Sequence, residues 1–204
     1  MTKLFLVSMF QNVAKLLRTV EPNLQHKTVT YIPTASNVEK LGFFTKIGKW
    51  HLKRLGLAVE ELDISTASPE VIASTLTSND FIFVAGGNTF YLLQELRKTG
   101  ADKILVNEVR NGKLYIGESA GAIVTAPNIA YSADMDCPEK APDLKDCAGL
   151  RLVDFFVVPH DKNWEMGKAA QTIRDTFSET LDLRVISDNQ AIVVSGDEVR
   201  ILER

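Results

Sequence analysis

Cysteine is scarce in this sequence, and neither sign of charge is in large excess. The 204 residues include only Cys137 and Cys147, too few for a disulfide framework or a four-cysteine zinc site. Lysine and arginine number 23 against 26 aspartates and glutamates, so the formal net charge is −3. That balance disfavours a nucleic-acid partner bound through a broad basic face. Because so few cysteines are typical of a reducing compartment, we predict a cytoplasmic protein.

Long apolar runs and flexible linkers are also missing. The apolar run near the start, Lys3–Val7, is too short to cross a bilayer and lacks the cleavage pattern of a signal peptide. We therefore expect no membrane anchor. Hydrophobic residues nevertheless make up 45% of the chain, enough for a sizeable core without metal or disulfides. Residues 1–204 are predicted to form a single α/β domain.

Short apolar runs alternate with longer amphipathic stretches. This pattern predicts a doubly wound, mostly parallel sheet with helices on both faces, whose ligands bind at the carboxyl ends of the strands. The predicted strands are Leu4–Met9, Thr28–Pro33, Leu57–Ile64, Asp80–Ala85, Lys113–Ile116, Leu152–Val158 and Leu183–Ile186, with a closing hairpin of Ala191–Val194 and Glu198–Leu202. The predicted helices are Val13–Val20, Asn37–Leu55, one beginning at Pro69, Phe90–Lys98, Ala101–Val109 and Glu165–Thr180. Pro127–Leu150 lacks periodicity and is predicted to be a long loop that could act as a lid.

The strongest chemical signal is the sequence Gly-Glu-Ser-Ala-Gly at Gly117–Gly121. A Gly-x-Ser-x-Gly pattern between a strand and a helix is typical of a nucleophile elbow, in which small flanking residues allow the serine to project from a tight turn. Ser119 is therefore the candidate nucleophile. The alternative is a glycine-rich turn in which the serine merely caps a helix.

A second glycine pair, Gly86-Gly87, follows another predicted strand and leads into Asn88-Thr89-Phe90. Glycines expose backbone N–H groups, so Gly86 or Gly87 together with the N–H of Ala120 could form an oxyanion hole. Asn88 or Thr89 could alternatively cap the following helix. The loop lacks the patterns of dinucleotide- and phosphate-binding loops.

A serine nucleophile needs a base, and the chain has three histidines. His26 and His51 lie among polar and charged residues, whereas His160 ends an apolar strand. We predict that His160 is the base.

The base in turn needs a carboxylate that holds its tautomer, and three aspartates follow the relevant elements. They are Asp134, Asp161 and Asp188. Asp188 follows a strand and is preferred, with Asp134 close behind, because an aspartate adjacent to His160 would usually point away from it.

These motifs resemble those of peptidase family S51, the α-aspartyl dipeptidases (peptidase E) and, more distantly, cyanophycinase. The resemblance rests on Gly86–Phe90, Gly117–Ala122, Asp134 and Pro159-His160 and covers most of the chain. It implies a fold similar to that of class I glutamine amidotransferases. It also implies hydrolysis of dipeptides with N-terminal aspartate, through an acyl-enzyme on Ser119 with His160 as base, without metal or organic cofactor. The third member of the triad would match Asp134 or Asp188.

Recognition of an aspartyl side chain requires a cation. Lys162, Lys168 and Arg174 follow His160 in sequence, and we predict substrate contacts from Arg174, Asn88 and Thr89. Glu118 departs from the family pattern, which we expect to carry an uncharged residue before the serine, and could alter the pH dependence.

Other functions are consistent with the same residues. The scaffold could support an esterase or amidase of other specificity, or a binding protein that keeps the elbow only as a turn. Redox chemistry by the two cysteines is disfavoured because their spacing is not Cys-x-x-Cys. Phe43, Phe44 and Trp50 could form the interface of a homodimer.

Overall fold

The computed structural model describes residues 1–39 and 42–204, with the backbone alone for residues 42–46. The strands are β1 (Lys3–Val7), β2 (Thr28–Ile32), β3 (Ala58–Glu61), β4 (Phe81–Val84), β5 (Leu114–Glu118), β6 (Phe156–Asp161), β7 (Leu183–Ser187), β8 (Gln190–Ser195) and β9 (Glu198–Glu203). The α-helices are α1 (Phe10–Val13), α2 (Leu17–Val20), α3 (Gly42–Arg54), α4 (Pro69–Ser78), α5 (Thr89–Thr99), α6 (Ala101–Arg110), α7 (Ala120–Ile123) and α8 (Gly167–Phe177). None of these helices combines the length and the apolar character that crossing a membrane requires.

Within the described ranges, seven strands form the central sheet, in the order β3-β2-β4-β5-β1-β8-β9. The first five run parallel, while β8 is antiparallel to β1 and to β9. The closing hairpin of the prediction is therefore present as β8 and β9. Strands β6 and β7 pair in parallel in a separate two-stranded sheet.

The two faces of the central sheet pack against different sets of helices. In β1, Leu4 and Leu6 contribute to one hydrophobic cluster, whereas Phe5 and Val7 contribute to the other. This alternation follows from the two-residue period of a strand. Helices α4 to α8 cover the first face, and α1, α2 and α3 cover the second. The doubly wound, mostly parallel α/β architecture predicted from the sequence is thus confirmed.

The strand predicted at Leu152–Val158 is wrong in its boundaries. The N–H groups of Leu152 and Val153 donate to the Thr125 carbonyl instead of to a neighbouring strand. Strand β6 consequently starts only at Phe156 and continues through His160, which the prediction had placed beyond its end.

The helix predicted at Asn37–Leu55 also differs from the structure. Thr34–Val38 forms a 3₁₀ helix, and α3 begins at Gly42. Lys40 and Leu41, which the prediction included, lie outside the described residues. Trp50 is 51% exposed, but the side chains of Phe43 and Phe44 are not described. The homodimer interface therefore stays a prediction.

Candidate active site

Ser119 lies in the turn between β5 and α7, at the carboxyl end of the central sheet. Its backbone has φ 50° and ψ −109°, a conformation that a non-glycine residue rarely adopts. The Ser119 N–H donates to the Val7 carbonyl of the neighbouring strand at 2.9 Å. This strained strand–turn–helix is the geometry of a nucleophile elbow.

The two glycines of the motif allow β5 and α7 to approach closely. A Cβ atom on Gly117 would lie 2.4 Å from the Gly121 carbonyl oxygen, and one on Gly121 would lie 2.2 Å from the Val84 oxygen. Both distances are far below van der Waals contact. Larger residues at these positions would force the turn apart and move Ser119.

Ser119, His160 and Asp188 form a continuous hydrogen-bonded chain. The Ser119 Oγ and His160 Nε2 atoms lie 2.9 Å apart, and His160 Nδ1 lies 2.9 Å from Asp188 Oδ1. Since an ionised carboxylate only accepts hydrogen bonds, the proton on the imidazole belongs on Nδ1. Nε2 is then free to accept the Ser119 hydroxyl proton.

The backbone of His160 is constrained as well as its imidazole ring. Its φ is 66°, and β6 has an irregularity between Val158 and Asp161. The His160 N–H donates to the Ser8 Oγ at 3.0 Å, and that hydroxyl faces the carbonyls of Ile186 and Ser187. Ser8 therefore joins β1, β6 and β7 at the site. The sequence analysis missed it, although a polar residue at the end of an apolar strand was the available signal.

Asp188 is fixed by a second partner that the sequence analysis also missed. Asn163 Nδ2 donates to Asp188 Oδ2 at 2.6 Å. Burial alone would raise the pKa of Asp188, but the hydrogen bonds from His160 and Asn163 outweigh burial and hold the pKa below the ordinary value of an aspartate. The carboxylate is therefore ionised at neutral pH and favours a protonated Nδ1 on His160.

The other two candidate aspartates do not contact the imidazole. Asp134 is exposed at the end of a 3₁₀ helix, and both ring nitrogens of His160 are occupied by Ser119 and Asp188. Asp161 instead faces Arg174, whose Nη1 lies 3.4 Å from its Oδ1. Arg174 does not line the cavity described below, and its substrate contact stays a prediction.

Asn88 and Thr89 also have partners within the protein instead of lining the cavity. Asn88 accepts from the Tyr91 N–H, which makes it the N-cap of α5, and donates to the Cys137 carbonyl at 3.0 Å. The N–H and hydroxyl of Thr89 both donate to Asp136. The two residues anchor the 136–137 segment to the start of α5. Their substrate contacts stay a prediction.

Ser119 and His160 open onto a cavity of about 640 Å³. One wall comes from residues 36–39 and another from residues 135–140, part of the loop predicted at 127–150. Glu39 and Lys140 join these two walls by an ion pair of 2.5 Å. Across the described ranges, no group of three or more His, Cys, Asp and Glu side chains is placed to hold a metal ion.

Glu118 also lines this cavity, immediately before Ser119. Its Oε1 accepts a hydrogen bond of 2.7 Å from the Phe10 N–H. Burial raises the pKa of Glu118 to about 7, although the N–H groups of Phe10 and Gly86 and the charge of His160 act in the opposite direction. The Gly86 N–H thus faces this carboxyl, and the oxyanion hole of Ala120 with Gly86 or Gly87 stays a prediction.

The backbone conformation and the close surroundings of position 87 require glycine. Its φ is 142°, and an added Cβ would lie 2.2 Å from the Ala35 carbonyl oxygen. We expect Gly87→Ala to lower the free energy of unfolding by about 3 kcal/mol. Gly100→Ala is the matched control, because Gly100 also has positive φ but open space around it; it should cost about 1 kcal/mol. Urea unfolding of both variants checks this, and equal losses would contradict the steric role of Gly87.

The sequence and the structure of this chain are similar to those of known proteins. The family model described as peptidase family S51 matches residues 4–202. An uncharacterized peptidase of Listeria innocua is 52% identical over 98% of this chain and 95% of its own length. Peptidase E of Shewanella sp. (strain ANA-3) is 32% identical over 70% of this chain and 62% of its own. A crystal structure of a candidate peptidase E from Listeria monocytogenes superposes with a TM-score of 0.96 at 49% identity, covering 100% of this chain and 99% of the other.

Proposed function

This chain belongs to peptidase family S51 and is a peptidase, and we propose that it is a serine-type enzyme that cleaves small peptides through an acyl-enzyme on Ser119. The observation that carries the proposal is the chain of two 2.9 Å contacts from Ser119 through His160 to Asp188. A serine in a strained elbow, a base within hydrogen-bond reach and a carboxylate behind it are the parts that acyl transfer requires.

In the acylation step, the Ser119 Oγ attacks the scissile carbonyl carbon while its proton moves to His160 Nε2. The oxygen that gains charge would be bound by the N–H groups of Gly87 and Ala120, neither of which has a hydrogen-bond acceptor within the part of the chain that the structure describes. The carbon–nitrogen bond then breaks, and the leaving amine takes the proton from His160.

In the second step, water attacks the acyl-enzyme and gives a proton to His160. The ester bond to Ser119 breaks, the acid leaves, and the proton returns to Oγ. Asp188 acts throughout as a positioning residue, because it keeps the Nδ1–H tautomer and stabilises the imidazolium that forms in both steps.

We further propose N-terminal aspartate as the preferred first residue of the substrate. With Arg174 outside the cavity, Lys140 is the described cation in position to meet an aspartyl carboxylate. It would exchange its partner Glu39 for the substrate. A cavity of about 640 Å³ suits a dipeptide better than a long chain.

A panel of dipeptides with N-terminal Asp, Glu, Asn and Ala tests the substrate. We expect the highest kcat/KM for Asp, and we expect Lys140→Met to lower it about 10- to 100-fold for Asp while changing the Ala peptide little, since one charge-assisted contact is lost. Lys168→Met, on the exposed side of α8, is the matched control and should leave the preference unchanged.

Two results would contradict this assignment of substrate. Equal rates across the panel would remove the aspartyl preference. Hydrolysis of esters without any hydrolysis of amides would indicate an esterase on the same scaffold.

A further inference from the structure

Glu118 is a cavity carboxylate that the hydrolytic mechanism above does not use. It is the last residue of β5, adjacent in sequence to Ser119, and both residues line the same cavity. Among the described residues, no lysine or arginine forms an ion pair with it. An acidic group therefore shares the cavity of the reacting serine and has no lysine or arginine partner among the described residues.

The contacts that Glu118 does make require only a neutral acceptor. Its Oε1 accepts from the Phe10 N–H at 2.7 Å, and the Gly86 N–H also faces the carboxyl. A glutamine could make the same contacts through its carbonyl oxygen. Keeping an ionisable group in this partly buried position costs free energy, as its pKa of about 7 reflects. A positive charge supplied by the substrate would offset that cost.

We propose that Glu118 is a specificity-determining residue that binds the free α-ammonium group of the substrate's first residue. The inference rests on the proposed function. In a peptide cleaved after its first residue, the α-nitrogen is attached to the same carbon as the scissile carbonyl group. When that carbonyl lies at Ser119, the ammonium must lie close by, and Glu118 is the cavity carboxylate next to Ser119 in the chain. A blocked N-terminus would leave this carboxylate unpaired, so the enzyme would reject acylated and internal peptide bonds.

The test compares Asp p-nitroanilide with its N-acetylated form on wild type and Glu118→Gln. We expect wild type to favour the free amine about 10- to 100-fold in kcat/KM, and Glu118→Gln to bring this ratio close to unity by losing activity on the free amine alone. Glu165→Gln, which removes another carboxylate lining the cavity, should leave the ratio unchanged. An unchanged ratio in Glu118→Gln would overturn the proposal.

A second substrate pair identifies the source of the positive charge. N-acetyl-Lys and N-acetyl-Ala p-nitroanilides both lack the α-ammonium, and only the first carries a side-chain ammonium. We expect Glu118→Gln to affect the two equally. A selective loss on the lysine substrate would overturn the assignment to the α-ammonium.

The pH dependence of the preference for the free amine distinguishes direct binding by Glu118 from a purely structural role of this residue. Among the residues that the structure describes, the titratable groups facing Glu118 are His160 and the Tyr31 hydroxyl. Groups that act on the scissile carbonyl affect both substrates alike and cancel in their ratio. The wild-type preference for the free amine should therefore fall as the pH drops below about 7, where Glu118 takes up a proton, and Glu118→Gln should show no such fall.

A neutral fluorophosphonate that reacts with activated serines separates the two possible failures. Labelling of Ser119 in wild type and Glu118→Gln at similar rates, with an unchanged substrate ratio, would overturn the role of Glu118 alone. Absence of both labelling and turnover in wild type would overturn the proposed function and this inference with it.

Discussion

Replacing Ser119 by alanine is expected to lower kcat/KM for the preferred dipeptide by at least about 10³-fold. Alanine removes the Oγ that lies 2.9 Å from His160 Nε2, and with it the covalent route. The oxyanion site and the binding cavity remain, so the residual rate reports what they contribute without a nucleophile. Steady-state assays with the dipeptide panel provide the measurement.

The control for this variant is a second serine of the same cavity. Ser36 lines the cavity, but its hydroxyl donates to the Pro33 carbonyl and has no contact with His160. Ser36→Ala should keep most of the wild-type activity. Thermal unfolding of both variants shows whether they fold. Turnover that survives in folded Ser119→Ala would remove Ser119 from the mechanism and leave a binding role for the elbow.

The fold could be predicted because its determinants are local and repetitive. Strands buried on both faces, such as Phe81–Val84, appear in the sequence as short continuous apolar runs bounded by turn residues. The elbow was predictable for a related reason, because a sharp turn between a strand and a helix needs glycine at fixed positions. A side chain at Gly117 or Gly121 would clash with nearby backbone atoms, so the Gly-x-Ser-x-Gly spacing in the sequence indicates the turn.

The partner of His160 could not be settled from the sequence because it depends on how distant segments pack. Strand β7, which leads to Asp188, pairs with β6 and not with the central sheet, and nothing local specifies that pairing. Ser8 was missed for the same reason, since its role arises only where β1 meets β6 and β7.

The side chains of Asn88, Thr89 and Arg174, which were predicted to contact substrate, have partners within the protein. Polar side chains at a functional edge can bind either a ligand or the protein itself, and the sequence does not distinguish these outcomes. Here the start of α5 needed an N-cap and an anchor for the 136–137 segment, and Asn88 and Thr89 supply both. Arg174 pairs with Asp161 instead of facing the cavity.

Replacing Asp188 by asparagine is expected to lower kcat about 10²- to 10⁴-fold with little change in the free energy of unfolding. The amide keeps the shape of the carboxylate but can present an N–H to His160 Nδ1. That donor favours the tautomer with its proton on Nε2, which cannot accept the proton of Ser119. The loss should therefore appear in kcat more than in KM.

Asp134→Asn is the matched control, since it makes the same chemical change in the other carboxylate that the sequence left open. Asp134 is exposed and does not line the cavity, so kcat should stay close to the wild-type value. Measuring both variants over a range of pH separates their roles, because the asparagine at 188 also removes the charge that stabilises the imidazolium. A large loss of kcat in Asp134→Asn with a small loss in Asp188→Asn would mean that the imidazole changes partner during turnover. Asp134 would then replace Asp188 as the third member of the triad.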